Sequence, residues 1–199
     1  MQYLKIPNER LGVLIGEHGA LKKEIESRTN TRISIEDTAV TIESTITDCL
    51  GEMVARNIVQ AIGRGFNPEN ALRLLNDECT LEIIPLTDYV KSPNAYERLK
   101  GRVIGEGGKA RKVMEELSGA NISVYGKTIG IIGSFDDVAL AKEAVLMLLD
   151  GARHSSVYRM LEKAQAQRKS GGWEGSSSGL AGENLEESGE ENAPEAEEE

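Results

Sequence analysis

The stretch that decides the fold occurs twice in the chain. Residues 15–35 read IGEHGALKKEIESRTNTRISI, and residues 104–124 read IGEGGKARKVMEELSGANISV. At a constant offset of 89 residues, eight of these 21 positions are identical. Because the same register continues through the hydrophobic segments that follow, the sequence predicts two copies of one supersecondary unit.

Each copy has the hydrophobic periodicity of strands and helices in the same order. In the first copy the pattern predicts strands at residues 2–7, 32–35 and 40–42, an apolar turn at 11–15, and helices at 20–28 and 46–62. In the second copy it predicts strands at residues 80–86, 122–125 and 128–132, and helices at 95–104, 109–117 and 135–149. The predicted fold is therefore α+β, with the order β-α-α-β-β-α present twice.

The repeat also predicts how the chain is divided. The predicted segments are a first domain at 1–63, a connecting helix at 64–79, a second domain at 80–152, a C-terminal helix at 153–169 and a tail at 170–199. Asn67 is placed to cap the connecting helix, whose first residue is Pro68. The tail is mostly Glu, Gly and Ser, which cannot bury enough apolar surface to offset ordering entropy, so we expect it to be disordered.

The net charge of −10 describes the tail and not the two copies. Residues 170–199 contain ten Glu and no Lys or Arg, so the remaining chain is neutral. Within it, residues 1–95 have a net charge of −4, whereas residues 96–169 have a net charge of +4. The acidic composition therefore does not exclude a nucleic-acid partner for the second copy.

Composition argues against several other classes of protein. Cys49 and Cys79 are thirty residues apart with no CxxC pair, and the two histidines form no HxxxH or HxH pair, so neither a disulfide scaffold nor a metal site is expected. No apolar run approaches membrane-spanning length, and the N-terminus lacks the core of a signal peptide. We expect a cytoplasmic protein that uses no cofactor.

The repeated Gly-x-x-Gly loop carries the functional signal. Such a loop between two short helices, ahead of a β-hairpin, resembles the phosphate clamp of a KH domain. Glycine at both ends lets a nucleic-acid backbone approach closely, and the helix that follows favours an anion at its N-terminus. One such loop is a weak signal, but two in the same context are specific.

Charge around the two loops is unequal. Glu17 and Glu106 lie inside the loops, where a carboxylate repels phosphate, but more basic residues surround the second loop. We therefore predict the second copy as the principal RNA site, and the first copy as either a second RNA site or a structural or protein-binding unit. The candidate RNA-binding residues are Arg102, Ile104, Gly105, Glu106, Gly107, Gly108, Lys109, Arg111 and Lys112 in the second copy, and Gly16, Glu17, His18, Gly19, Lys22 and Lys23 in the first.

Three other features have competing interpretations. The segment Gly126-Lys127-Thr128 resembles the end of a nucleotide-binding P-loop, but the required glycine is missing and a hairpin turn is favoured. Tyr125 could stack on a base or pack inside the protein. His18 could reach RNA or be an ordinary exposed histidine.

Several longer stretches together resemble one family. GRGFNPENALRLL between the copies, GRVIGEGGKAR at the second loop, SVYGKTIGIIG in the second hairpin and HSSVYRMLE near the end are similar to the archaeal ribosome-assembly KH protein related to the eukaryotic partner of Nob-one. The resemblance covers roughly residues 1–167. It implies a non-enzymatic pair of type I KH domains that holds the single-stranded 3′ region of 16S rRNA for other factors.

The resemblance also implies partners, namely the Nob-one endonuclease and the alpha subunit of translation initiation factor two. A KH-based protein adaptor, or an RNA-binding regulator linked to translation through an mRNA or an initiation factor, is the alternative.

Overall fold

This computed structural model describes residues 1–45 and 49–169. The predicted acidic tail lies outside the described residues. The first copy consists of β1 (Gln2–Lys5), α1 (Asn8–Ile15), α2 (Ala20–Thr29), β2 (Thr31–Glu36), β3 (Ala39–Ser44) and α3 (Cys49–Gly63). A short helix, α4 (Pro68–Leu72), and a 3₁₀ turn at Arg73–Leu75 follow. The second copy consists of β4 (Cys79–Pro85), α5 (Pro93–Ile104), α6 (Lys109–Ser118), β5 (Asn121–Tyr125), β6 (Thr128–Ser134) and α7 (Phe135–Leu149), and α8 (His154–Lys169) comes last.

The predicted order β-α-α-β-β-α is therefore confirmed in both copies. Each copy forms a three-stranded antiparallel sheet, with order β1-β3-β2 in the first and β4-β6-β5 in the second. The hairpin in each copy turns through a residue in the left-handed region, Asp37 with φ 51° and Gly126 with φ 58°. The favoured hairpin interpretation of the segment around Lys127 is thus confirmed.

The first helix is longer than the sequence pattern indicated. The structure has a full helix, α1, where the pattern suggested only an apolar turn at 11–15. Gly12 lies in the middle of this helix and lowers its intrinsic propensity, but Leu14 is fully buried and anchors it. The predicted start of the last helix of this copy at residue 46 lies outside the described residues.

Both cores are mainly aliphatic, as expected for a chain in which only 4% of the residues are aromatic. In the first copy the largest fully buried side chains include Leu14, Ile25, Ile42, Ile58 and Ile62. In the second they include Met114, Ile129, Ile131 and Leu148, and Val157 and Leu161 of α8 join the same core. Burying each of these side chains stabilises the fold by roughly 1.5–3 kcal/mol.

The connecting segment, residues 64–79, joins the two copies into one packed body. Phe66 and Leu74 belong to the core of the first copy, and Ile132 of β6 belongs to that core as well. A Cβ built on Gly130 would lie 2.6 Å from Cε2 of Phe66, so the ring packs directly on the backbone of β6. The outer face of the second sheet is therefore covered by the connecting segment.

The start of the connecting helix differs in detail from the prediction. Asn67 occupies the N-cap position and Pro68 begins the helix, as expected, but the Asn67 side chain makes no capping hydrogen bond. The extended backbone of Asn67 and the fixed φ of Pro68 are enough to begin this one-and-a-half-turn helix.

Candidate nucleic-acid interface

The two Gly-x-x-Gly loops, residues 16–19 and 105–108, have nearly the same backbone. Gly16 and Gly105 have φ 73° and 71°, and Gly19 and Gly108 have φ 77° and 79°. Between them, His18 has φ 51° and Gly107 has φ 56°, so both loops pass through the left-handed region at the same place. Because one loop holds His where the other holds Gly, the flanking helices determine this shape and the central residue does not.

The first glycine of each loop is required by packing inside the protein. A Cβ on Gly16 would lie 2.8 Å from the Cβ of Leu21, and a Cβ on Gly105 would lie 2.5 Å from the Cβ of Ala110. Packing is therefore a reason for glycine at these two positions that the sequence did not reveal, and their predicted role in RNA binding stays a prediction. There, glycine lets the first helix come close to the second.

The second glycine of each loop faces open space. A Cβ on Gly19 or on Gly108 would have no heavy atom within 4 Å, and their left-handed backbone is the only internal reason for glycine. This is the surface on which an approaching phosphate would meet the main chain. Directly behind it α2 and α6 begin, and the positive ends of their dipoles point toward this surface.

The edge strand of each sheet is held by a glutamate on the second helix. The amide N–H of Ile33 donates to Oε1 of Glu26 at 2.7 Å, and the N–H of Ile122 donates to Oε1 of Glu115 at 2.7 Å. Since strand amides on one edge recur every second residue, the next amide facing outward on β2 belongs to Ile35. The second copy places Val124 at the same position.

A cleft joins these parts in the first copy. It has a volume of about 490 Å³ and is lined by Ile15, His18, Gly19, Lys22, Lys23, Glu26 and Ile35. The structure thus brings together four of the residues predicted in this copy, beside two aliphatic side chains and one carboxylate. Ile15, Glu26 and Ile35 were not among the residues predicted from the sequence, although the 89-residue offset relates Ile15 to the predicted Ile104.

The basic residues differ in whether their charge is free to bind a phosphate or is paired with a carboxylate. Lys109 and Lys112 are exposed on α6, as is Lys23 on α2. By contrast, Nε of Arg111 lies 3.6 Å from Oε2 of Glu115, and Nζ of Lys22 lies 3.8 Å from Oε1 of Glu26. In each copy, therefore, one cation beside the strand edge is partly neutralised by a carboxylate. Glu17 and Glu106 are exposed within the loops.

The side chain of Arg102 is engaged by backbone carbonyls inside the protein. Its Nε donates to the carbonyl of Leu148 at 3.1 Å, and its Nη2 donates to the carbonyl of Ala152 at 2.6 Å. The guanidinium thus ties α5 to the end of α7. In the first copy Arg10 does the same work, with Nε donating to the carbonyl of Ile62 at 2.9 Å.

Tyr125 belongs to the contact between the copies, as the packing interpretation proposed. Its hydroxyl donates to Oε2 of Glu9 at 3.2 Å, and a Cβ on Gly65 would lie 2.8 Å from the Cβ of Tyr125. Desolvation, together with the hydrogen bond to the Glu9 carboxylate, raises the pKa of the Tyr125 phenol. The neighbouring Ser123 hydroxyl donates to the carbonyl of Arg64 at 3.0 Å.

Within the described ranges, every helix falls short of the length and apolar character that crossing a membrane requires.

Family models match both copies. A model described as a eukaryotic-type KH domain, type I, matches residues 80–166, and a KH-domain model matches residues 1–51. These matches cover the two loops and the strands beside them.

Similar proteins cover most of the chain. The KH domain-containing protein MJ0443 of Methanocaldococcus jannaschii is 51% identical over 172 residues, which is 85% of this chain and 76% of that protein. Pre-rRNA-processing protein pno1 of Schizosaccharomyces pombe is 31% identical over 115 residues, so the match spans 57% of this chain and about half, 48%, of the fungal protein.

Two solved structures share the fold. Dim2p from Pyrococcus horikoshii is 51% identical with a TM-score of 0.76, covering 81% of this chain and 98% of that one. A chain of the a/eIF2alpha–aDim2p–rRNA complex from the same organism is 49% identical with a TM-score of 0.77, covering 83% of this chain and 94% of that one. The chain described here therefore belongs to the KH-domain family that includes archaeal Dim2p and the eukaryotic pre-rRNA-processing protein PNO1.

Proposed function

We propose that this protein binds the single-stranded 3′ region of 16S rRNA during maturation of the small ribosomal subunit. The observation that carries the proposal is the pair of loops with one backbone conformation, each open to solvent at its second glycine and each followed by a helix N-terminus. The P. horikoshii relative found in a complex with rRNA supports the class of ligand.

In this proposal the phosphates pass over Gly107 and Gly108, and the exposed Lys109 and Lys112 supply the positive charge. The bases lie between Ile104 and the edge of β5, where the amide and carbonyl of Val124 can read them. Arg102 has a positioning role, because its bonds to the end of α7 fix the angle at which α5 enters the loop. The first copy offers a similar but less basic cleft for adjoining nucleotides.

The proposal includes no chemical step by this chain. The protein holds the RNA, and cleavage belongs to a separate factor such as the Nob-one endonuclease. The alpha subunit of translation initiation factor two is the second proposed partner, because the similar P. horikoshii chain lies in a complex with a/eIF2alpha. A cytoplasmic location is part of the same proposal.

Paired loop variants test the RNA site. Replacing Gly107 and Gly108 with Asp adds two carboxylates where phosphate should pass, and we expect affinity for a short single-stranded 16S 3′ RNA to fall about tenfold or more. The matched change, His18 and Gly19 to Asp, should cost less. Circular dichroism must show that the variants remain folded, since Gly108 has a left-handed backbone.

A larger loss from the first loop would show that the first copy is the principal site. If the unmodified protein shows no salt-sensitive binding of a short single-stranded RNA, the RNA-binding proposal fails and the adaptor alternative is favoured. No turnover of nucleotides is expected, and hydrolysis dependent on Lys127 would contradict the absence of enzymatic activity.

A protein-adaptor function is the second candidate, and a surface of the first copy favours it. Two large apolar side chains of this copy are exposed, Tyr3 at 69% on β1 and Met53 at 55% on α3. The test replaces both residues with Ser and measures binding to RNA and to a protein partner. Loss of the protein partner with unchanged RNA affinity would support the adaptor function of this copy.

A further inference from the structure

Strand β5 presents different groups to two different neighbours. The side chains of Ile122 and Val124 pack in the core of the second copy, and the backbone of Val124 lies at the edge where the bases are proposed to bind. The side chains of Asn121, Ser123 and Tyr125 point the opposite way, because successive side chains of a strand alternate between its two faces. That outer face of the sheet is the one that the connecting segment covers.

Two of these outward side chains are bonded to the connecting segment. Nη1 of Arg73 donates to Oδ1 of Asn121, and the Ser123 hydroxyl donates to the carbonyl of Arg64 at 3.0 Å. Ser123 is only 8% exposed, so this carbonyl takes the place of water as the partner of its hydroxyl.

The third outward side chain is bonded to the first copy itself. The Tyr125 hydroxyl donates to Oε2 of Glu9 at 3.2 Å, across 116 residues of sequence. Glu9 lies in the first turn of α1, the helix that leads into the first loop. Since Asn121 is the first residue of β5 and Tyr125 is the last, the three hydrogen bonds hold the strand along its whole length. We call them the backing bonds.

The equivalent strand of the first copy lacks this support. The offset of 89 residues relates the three outward positions of β5 to Arg32, Ser34 and Glu36 of β2, and all three side chains are exposed. In the part of the chain that the structure describes, β5 is therefore the edge strand that is held from outside its own copy.

The backing bonds matter because β5 is an edge strand. In the sheet order β4-β6-β5, only β6 pairs with it, and its other edge faces the groove. A strand that can shift adapts its backbone donors and acceptors to a wrong base, whereas a strand that is fixed beforehand cannot. Contacts behind a binding site thus increase its selectivity by holding its geometry before the ligand arrives.

We propose that the first copy and the connecting segment form a rigid backing for β5, and that Asn121, Ser123 and Tyr125 are positioning residues for base recognition in the second copy. The first copy thereby contributes to RNA specificity without contacting the base that β5 recognises. This inference rests on the proposed function, because it assigns base discrimination to the groove proposed to bind 16S rRNA.

Base discrimination by the full chain tests the proposal. The measurement compares the affinity for a short single-stranded RNA of the 16S 3′ sequence with the affinity for the same RNA carrying one base change at a time. We expect Ser123→Ala combined with Tyr125→Phe to lower the ratio of these affinities about three- to tenfold at one base position. The salt dependence should stay the same, because the phosphates bind elsewhere. Ser34→Ala is the matched control in the first copy and should leave the ratio unchanged.

Variants of Glu9 test the same contact from outside the second copy. Glu9→Ala removes the acceptor of the Tyr125 hydroxyl, and it should lower the discrimination ratio and speed amide hydrogen exchange at Tyr125 severalfold. Glu9→Gln keeps an acceptor and should restore both values. A loss of stability alone would lower the affinity for every RNA by the same factor and leave the ratio unchanged.

Other results would overturn the proposal. An unchanged ratio in the Ser123→Ala, Tyr125→Phe variant would mean that the backing bonds serve stability only. An equal fall of the ratio in Ser34→Ala would place the discriminating strand in the first copy. Salt-sensitive binding without any base discrimination by the unmodified protein would overturn this inference alone, whereas absence of RNA binding would overturn the proposed function as well.

Discussion

The same positions of the repeat face different surroundings in the two sheets. In the first sheet Thr41 is half-buried and Glu43 is exposed, so the outer face of β3 meets solvent. In the second sheet the corresponding residues are Gly130 and Ile132, and the connecting segment covers both. The same supersecondary unit can therefore leave the outer face of its sheet exposed to solvent or have it covered. Two residues of the central strand determine which of these occurs.

The largest expected effect comes from exchanging these residues. Gly130→Thr gives the second sheet the residue of the first, and its Cβ would collide with the Phe66 ring. We expect the free energy of unfolding to fall by roughly 3 kcal/mol, as overpacking a rigid interface does. Thr41→Gly is the control and should cost only about 1 kcal/mol, through lost strand propensity. Urea denaturation monitored by circular dichroism measures both, and equal losses would contradict the difference between the sheets.

A second comparison makes the same substitution in the two glutamates that hold the edge strands. Glu115→Ala removes the acceptor of the Ile122 amide and should lower the free energy of unfolding by roughly 1–2 kcal/mol. Glu26→Ala should have a similar effect through the amide of Ile33.

The isosteric variants separate structure from charge. Glu115→Gln and Glu26→Gln keep an acceptor for the strand but remove the carboxylate beside Arg111 or Lys22. RNA affinity should increase a few-fold in whichever groove binds RNA. An equal increase in both would indicate that the two grooves hold one RNA, and no increase in either would contradict the grooves as the RNA site.

A third comparison uses the residue that begins the second helix. Lys109 stands where the first copy has Ala20, and both are exposed. Lys109→Ala should weaken RNA binding by about 1 kcal/mol and reduce the slope of log affinity against log salt by about one. Ala20→Lys should strengthen binding only if the first copy also contacts phosphate. Titration of a fluorescent RNA at several salt concentrations measures both, and an unchanged slope for Lys109→Ala would remove it from the site.

The smallest effect is expected inside the loops. His18 has a left-handed backbone, which costs a residue with a side chain about 1–2 kcal/mol and which Gly107 adopts without strain. Glycine loses more backbone entropy on folding, and this loss offsets part of the difference. His18→Gly should therefore stabilise the first copy by about 0.5–1 kcal/mol, and Gly107→His should destabilise the second by a similar amount. Thermal unfolding measures the pair. A destabilised His18→Gly would show that the imidazole makes a contact that favours the native loop.

Much of the fold could be predicted because the repeat reports the same pattern twice. The element order, the hairpins and the loops followed from periodicity and glycine spacing. The length of α1 did not, because Gly12 interrupts its local signal and only the burial of Leu14 makes it a helix.

The sequence of β6 contains a signal that both faces of the strand are buried. The run TIGIIG lacks the alternation of the corresponding strand in the first copy, as expected for a strand buried on both faces. What covers it could not be predicted, because Phe66 reaches β6 only through the tertiary arrangement. For the same reason the structural role of Arg102 could not be predicted, because its carbonyl partners are 46 and 50 residues away in sequence.

The burial of Ile132 in the core of the first copy has a consequence for synthesis on the ribosome. The first copy and the connecting segment emerge as far as Leu75 long before β6 ends at Ser134. At ordinary elongation rates the interval is roughly 3–12 s, during which Phe66 and Leu74 lack their final partner. The nascent chain thus exposes an apolar surface that only β6 of the same chain can cover. A pause in translation between β4 and β5 should therefore increase its binding to chaperones and its cleavage by proteases.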